Sequence, residues 1–105
     1  MQHLYRTAGL TALFFVISVG MAHAGAIERA CMQSDHKAVN RSVCSCIQQV
    51  ADQTLGGSDQ RRAAKFFGDP DKANDVWLSQ NRADDAFWER YKLFGSQAEV
   101  SCAGV

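Results

Sequence analysis

The chain has 105 residues, with eleven basic and eleven acidic side chains and four cysteines. A formal net charge of zero gives no electrostatic reason to expect nucleic acid or an anionic membrane as partner. The length accommodates one small domain.

Residues 1–6 carry one firm positive charge, Arg6, and an apolar run follows over 8–19, centred on Leu10, Leu13, Phe14, Phe15, Val16 and Ile17. Gly20 breaks the run, and Ala22-His23-Ala24 puts small residues at both positions that a signal peptidase reads. This order predicts a signal peptide over 1–24, cleaved to leave residues 25–105. A membrane anchor needs about twenty predominantly apolar residues, and this run is shorter. No Leu-rich lipobox precedes Cys31, which follows Glu28-Arg29-Ala30. Loss of Arg6 leaves ten bases against eleven acids, a formal charge of −1. The expected product is a soluble periplasmic domain of about 80 residues, a size that buries only about 60–65% of its unfolded surface and needs staples. Cys31, Cys44, Cys46 and Cys102 all lie in this part, and an even count in a short exported chain reads as a disulfide framework.

Five helical stretches and no strand are expected, giving an all-α class: a small disulfide-linked bundle. The first covers about 26–34, with Ile27, Ala30 and Cys31 facing one way, and a turn follows over 35–40. The second, about 40–55, repeats Val43, Ile47, Val50 and Thr54 at three- and four-residue steps, until Gly56-Gly57 stops it. Ser58 is the expected cap of the third helix, which carries Ala63, Ala64, Phe66 and Phe67 to a stop at Gly68. Asp69-Pro70 opens the fourth, a capping side chain followed by proline at the first helical position. It is expected to bury Val76 and Trp77 and to fray near Gln80-Asn81. The last helix, about 83–102, sets Phe87, Tyr91, Phe94, Ala98 and Cys102 on one stripe, with Trp88 beside it. That spacing is what a packed helix shows, so these aromatics read as core rather than as a ligand box.

Cys44 and Cys46 sit inside the second helix, where thiols two positions apart point roughly 160° from each other. Neither can satisfy the other, so each must reach another helix. Two pairings survive: Cys31 with Cys44 and Cys46 with Cys102, which is preferred, or Cys31 with Cys46 and Cys44 with Cys102. A redox role would want C-x-x-C at a helix start, not C-x-C in mid-helix. A metal site would recruit His36, the one histidine of residues 25–105, but the two well-spaced ligand pairs of a zinc site are absent.

Arg61, Arg62 and Lys65 read as a solvated basic face. Asp69, Asp71, Asn74 and Asp75 superficially suggest a calcium loop, yet its glycine and distal glutamate are missing, and aspartates belong at a helix start. Asp84 and Asp85 have the same explanation. No nucleophile elbow, phosphate-binding glycine loop or plausible carboxylate pair is found, so no catalytic residue, cofactor or metal is expected and the chain reads as a non-enzyme. The charges of Arg61, Arg62 and Asp75 are scattered over helix faces, which gives no reason to expect an arginine site.

The stretch over 31–55, the segments SDQRRAAKFFGDPDKANDVW and AFWERYKLFG, and the late Cys102 resemble an uncharacterised family of small exported alphaproteobacterial proteins with four cysteines. Its members often carry the automatic name "arginine transporter". A literal transporter does not fit, because nothing after Ala24 is apolar for long enough to span a bilayer. The resemblance implies at most an accessory of amino-acid uptake or of envelope stress. Two function classes follow: a non-enzymatic periplasmic binding or interaction protein with an unknown protein partner, or an immunity-type protein that binds a toxin effector.

Overall fold

A computed structural model describes residues 25–37 and 39–105; the expected signal peptide over 1–24, and Ala38 in the expected turn, lie outside the described residues. Among the described residues there are five helices and no strand: α1 (Ala26–Gln33), α2 (Arg41–Thr54), α3 (Gly57–Gly68), α4 (Pro70–Leu78) and α5 (Arg82–Cys102). The fold is a small all-α bundle tied by two disulfides.

α2 is the spine. Asn40 starts it, its Oδ1 accepting the Val43 N–H at 2.9 Å. α1 packs against α2 and α3, α5 packs on α2, and α4 bridges α3 and α5. An eight-residue helix such as α1 is marginal by itself, and it owes its order to these contacts. The buried face of α2 carries Cys44, Gln48, Val50 and Ala51; of the expected stripe Val50 is buried, while Val43, Ile47 and Thr54 are half-buried. Packing against helices on both flanks makes that face wider than one stripe.

Cys31 and Cys44 are bonded across α1 and α2, with Cα atoms 5.6 Å apart. Cys46 and Cys102 are bonded across α2 and α5, at 5.8 Å. The preferred pairing is the one found, and the two divergent thiols of α2 each hold a different helix. In the loop-closure picture, separations of 13 and 56 residues contribute about 3 and about 4 kcal/mol.

The core gathers Ile27, Val50, Ala51, Leu55, Ala63, Phe66, Val76, Phe87 and Phe94. Tyr91 is its aromatic hub. Its ring meets Phe66 edge-on at 5.2 Å, Trp88 at 5.3 Å, and Phe87 and Phe94 at 6.0 Å. Such pairs contribute about 0.5–1.5 kcal/mol each beyond area burial. Burial raises the Tyr91 phenol above its ordinary value.

Three local expectations are corrected. Ser58 does not cap α3: Gly56 stands at the N-cap, Ser58 lies exposed in the first turn, and Gln60 Nε2 reaches back to the Leu55 carbonyl at 3.1 Å. The tight Leu55-Gly56 connection starts the helix earlier than a serine cap requires. Asp69 offers no side-chain cap to α4; its N–H closes α3 on the Lys65 carbonyl and its own carbonyl accepts the Lys72 N–H at the start of α4, both at 3.1 Å. Trp77 is not buried but 60% exposed. A nine-residue helix presents one narrow stripe inward, which Ala73 and Val76 take; Trp77 lies about 100° further round.

Arg62 is not part of a solvated basic face either. Its Nη2 donates to Asp84 Oδ1 at 2.6 Å, and its guanidinium lies 4.6 Å from the centre of the Phe87 ring. Bonding from Arg62, then from Ser79, holds the Asp84 carboxyl below the usual carboxylate range. A second clamp joins the same two helices, Arg90 Nε and Nη2 donating to the Asp59 oxygens at 2.6 and 3.2 Å. The Asp59 carboxylate raises the Arg90 pKa.

Candidate functional site

α5 presents two faces. Phe87, Phe94 and Cys102 turn inward; Asp85, Trp88, Glu89 and Lys92 recur at steps of three, one and three on the adjoining face. Trp77, at the C-terminal end of α4, stands beside that face. Together with Ala86 these residues line an open hollow of about 560 Å³. Trp88 is half-buried because its ring rests on Tyr91, so its position is fixed by the core. Trp77 has no such support and leaves most of its indole in water.

The charges of the hollow are two carboxylates, Asp85 and Glu89, against one ammonium, Lys92. Lys92 Nζ lies 2.8 Å from Glu89 Oε1, an exposed pair that contributes little to stability. Asp85 is the uncompensated acid among the lining side chains. Leu78, the next residue of α4, is also exposed, at 63%, but is not part of the lining. Single exposed apolar residues are ordinary, but two indoles lining one hollow form a patch.

The sequence-derived site residues fall elsewhere. Cys31, Cys44, Cys46 and Cys102 are all in disulfides, and none is a free thiol. His36 is exposed and lines a smaller hollow of about 280 Å³ with Phe66, Phe67, Pro70, Ala73 and Tyr91. Among the described residues, no group of three or more His, Cys, Asp and Glu side chains gathers around a point where a metal ion would sit. Asp71, Asn74 and Asp75 are exposed positions of α4, a helix rather than a calcium loop. Arg61 is exposed on α3 and Arg62 is spent on Asp84 and Phe87, so the two do not act together. No helix among the described residues is long and apolar enough to cross a membrane.

The hollow escapes a reading of the sequence. Asp85, Glu89 and Lys92 are visible as a polar helix face, but an aromatic neighbour at Trp77 is a matter of how α4 meets α5. No family model, curated protein or solved structure matches the chain.

Proposed function

We propose that this chain is a non-enzymatic periplasmic binding or interaction protein, exported by a signal peptide over 1–24 and working through its surface. The observation that carries the reading is Trp77: a large aromatic side chain, 60% exposed, on a scaffold whose ends are both cross-linked to α2. Exposed aromatic patches on rigid supports are how proteins hold partners, since little conformational freedom is lost on docking. Two disulfides fit an oxidising compartment. An accessory of amino-acid uptake or of envelope stress is the form of this role that the family resemblance implies.

Two measurements test it. Intact-mass analysis of the periplasmic fraction should find a chain that starts at Gly25, within a residue or two; a full-length chain held in the inner membrane overturns export. Tagged wild-type protein, cross-linked in the periplasm, should retain envelope or uptake proteins above a disulfide-bonded control of similar size. Retention of one toxin effector instead identifies the immunity-type form, and no retention above the control overturns the binding role.

A further inference from the structure

We propose that the hollow between Trp77 and Trp88 docks a lysine- or arginine-bearing segment of a partner protein, an assignment that rests on the binding role above. The choice of occupant comes from the lining. Indole faces attract cations through their quadrupole and also cover the methylene stem of a long basic side chain. Asp85 and Glu89, one turn apart on α5, carry two negative charges; Lys92, bound to Glu89 at 2.8 Å, offsets only one. A basic head group beside Asp85 therefore finds both an aromatic wall and an uncompensated carboxylate.

Other occupants fit less well. An anionic group would face Asp85 and Glu89. A purely apolar segment would bury the Asp85 carboxylate without a partner, which is costly. A free amino acid or amine is too small: ligand sites enclose most of their ligand, whereas this hollow is open and Trp77 is mostly in water. A polypeptide that enters the hollow with a basic side chain also covers its open rim with backbone and neighbouring residues, which a free amine cannot.

The chain carries its own reporter, because Trp77 and Trp88 are its two tryptophans and both line the hollow. Three probes are titrated into the disulfide-intact protein while tryptophan fluorescence is followed: a glycine–arginine peptide, its glycine–glutamate counterpart, and N-acetylarginine amide. The arginine peptide should give a saturable change that weakens with added salt, the glutamate peptide none, and the single amino-acid amide a much weaker response. Trp77→Ala and Asp85→Asn should each weaken peptide binding by about two- to fivefold, the range of an exposed cation–π contact. Glu99→Gln, on the far end of α5, should leave it unchanged. Both substitutions fall at exposed positions, and unchanged far-ultraviolet circular dichroism checks that they fold. Equal response to the two peptides, or binding untouched by both substitutions, overturns the assignment. So does a concentration-dependent dimer abolished by Trp77→Ala, which would make a second copy the occupant. Cross-linking with the W77A/D85N protein separates the two proposals. Partners retained by wild type and lost by the variant support the hollow; partners retained by both overturn the hollow and leave the binding role standing. If wild type retains none, the binding role itself fails.

Discussion

Gln48, in the middle of α2, caps α1: its Oε1 accepts the Glu28 N–H at 2.9 Å. α1 needs this because its own N-cap residue is Gly25, which brings no capping side chain. The other end of the same amide donates to Asp52 Oδ1 at 2.9 Å and to Gln60 Oε1 at 2.8 Å. Gln60 in turn donates to Asp52 and to the Leu55 carbonyl, both at 3.1 Å. One buried glutamine thus joins the starts of α1 and α3 to the spine, with its donors and acceptor all engaged.

Gln48→Leu keeps most of the volume and removes the bonds to Glu28, Asp52 and Gln60. It leaves the Glu28 N–H and the Gln60 oxygen without their partner, and unfolding free energy should fall by about 1–3 kcal/mol. Gly25→Ala attacks the same bond from the other side, because an added Cβ would overlap the Gln48 amide. That amide is held by its partners and cannot swing away freely, so this substitution should also destabilise. Urea unfolding of both single variants and of the double variant checks the coupling. The double variant should lose less than the sum, since either change alone breaks the shared contact; strictly additive losses would refute it.

Cys102→Ser removes the longer closure and should lower the melting temperature by well over ten degrees, since about 1 kcal/mol moves a domain of this size by roughly 4–8 °C. The orphan it creates, Cys46, is half-exposed, whereas Cys44→Ser orphans Cys31, which is buried. Thiol labelling below the melting transition should therefore be fast in C102S and slow in C44S, and covalent dimers should form mainly in the former. The opposite order of labelling would contradict the described packing of α1.

Tyr91 gives an alkaline signature. Burial raises its pKa above the ordinary phenol value of about 10. Across the interval from that value to the folded one, the native state keeps a proton that the unfolded state has released. Stability is therefore complete below the interval and declines as pH rises through it. In a chain that begins at Gly25, Tyr91 is the sole tyrosine, so tyrosinate absorbance follows it alone. The native titration should run above that of the urea-unfolded chain; coincident curves would mean that the ring is not buried.

Asp84 acts at the acid end with the opposite sign. Its carboxyl is held low by Arg62 and Ser79, so its contribution is present above the ordinary carboxylate value of about 4 and is lost as pH falls through the folded one. Asp84→Asn should flatten the acid limb of the stability curve and leave the alkaline limb alone. Arg62→Lys should lose more than a charge-preserving change suggests, because an ammonium cannot reproduce the planar group over Phe87. Thermal melts from acid to neutral pH check both, and an unchanged acid limb in D84N would remove Asp84 as its source.

The disulfide framework was legible because C-x-C inside a helical pattern forces its two thiols apart, so that only two pairings remain. The pairing that the sequence preferred is the one found, but the structure decides it, since it depends on which flank of α2 receives α1. Gln48 explains the choice: it lies four residues from Cys44 on the same flank, and it binds α1. Nothing local marks this glutamine as buried, because a polar residue between Ile47 and Gln49 gives no period of its own.

By itself, the sequence determined the helices and the stripes that pack them. Glycine stops and the three- and four-residue recurrence of Phe87, Tyr91 and Phe94 act over one or two turns, within reach of a linear reading. Tertiary structure decided what lies between helices: the Gln48 cap on α1, the Arg62–Asp84 clamp over Phe87, and the meeting of Trp77 with the Asp85 face of α5. Periodicity assigns an inward stripe to each helix but does not say how wide a stripe its neighbours leave. Trp77 is exposed for that reason: α4 is short, Ala73 and Val76 form its buried stripe, and most of the indole beside them is left facing water.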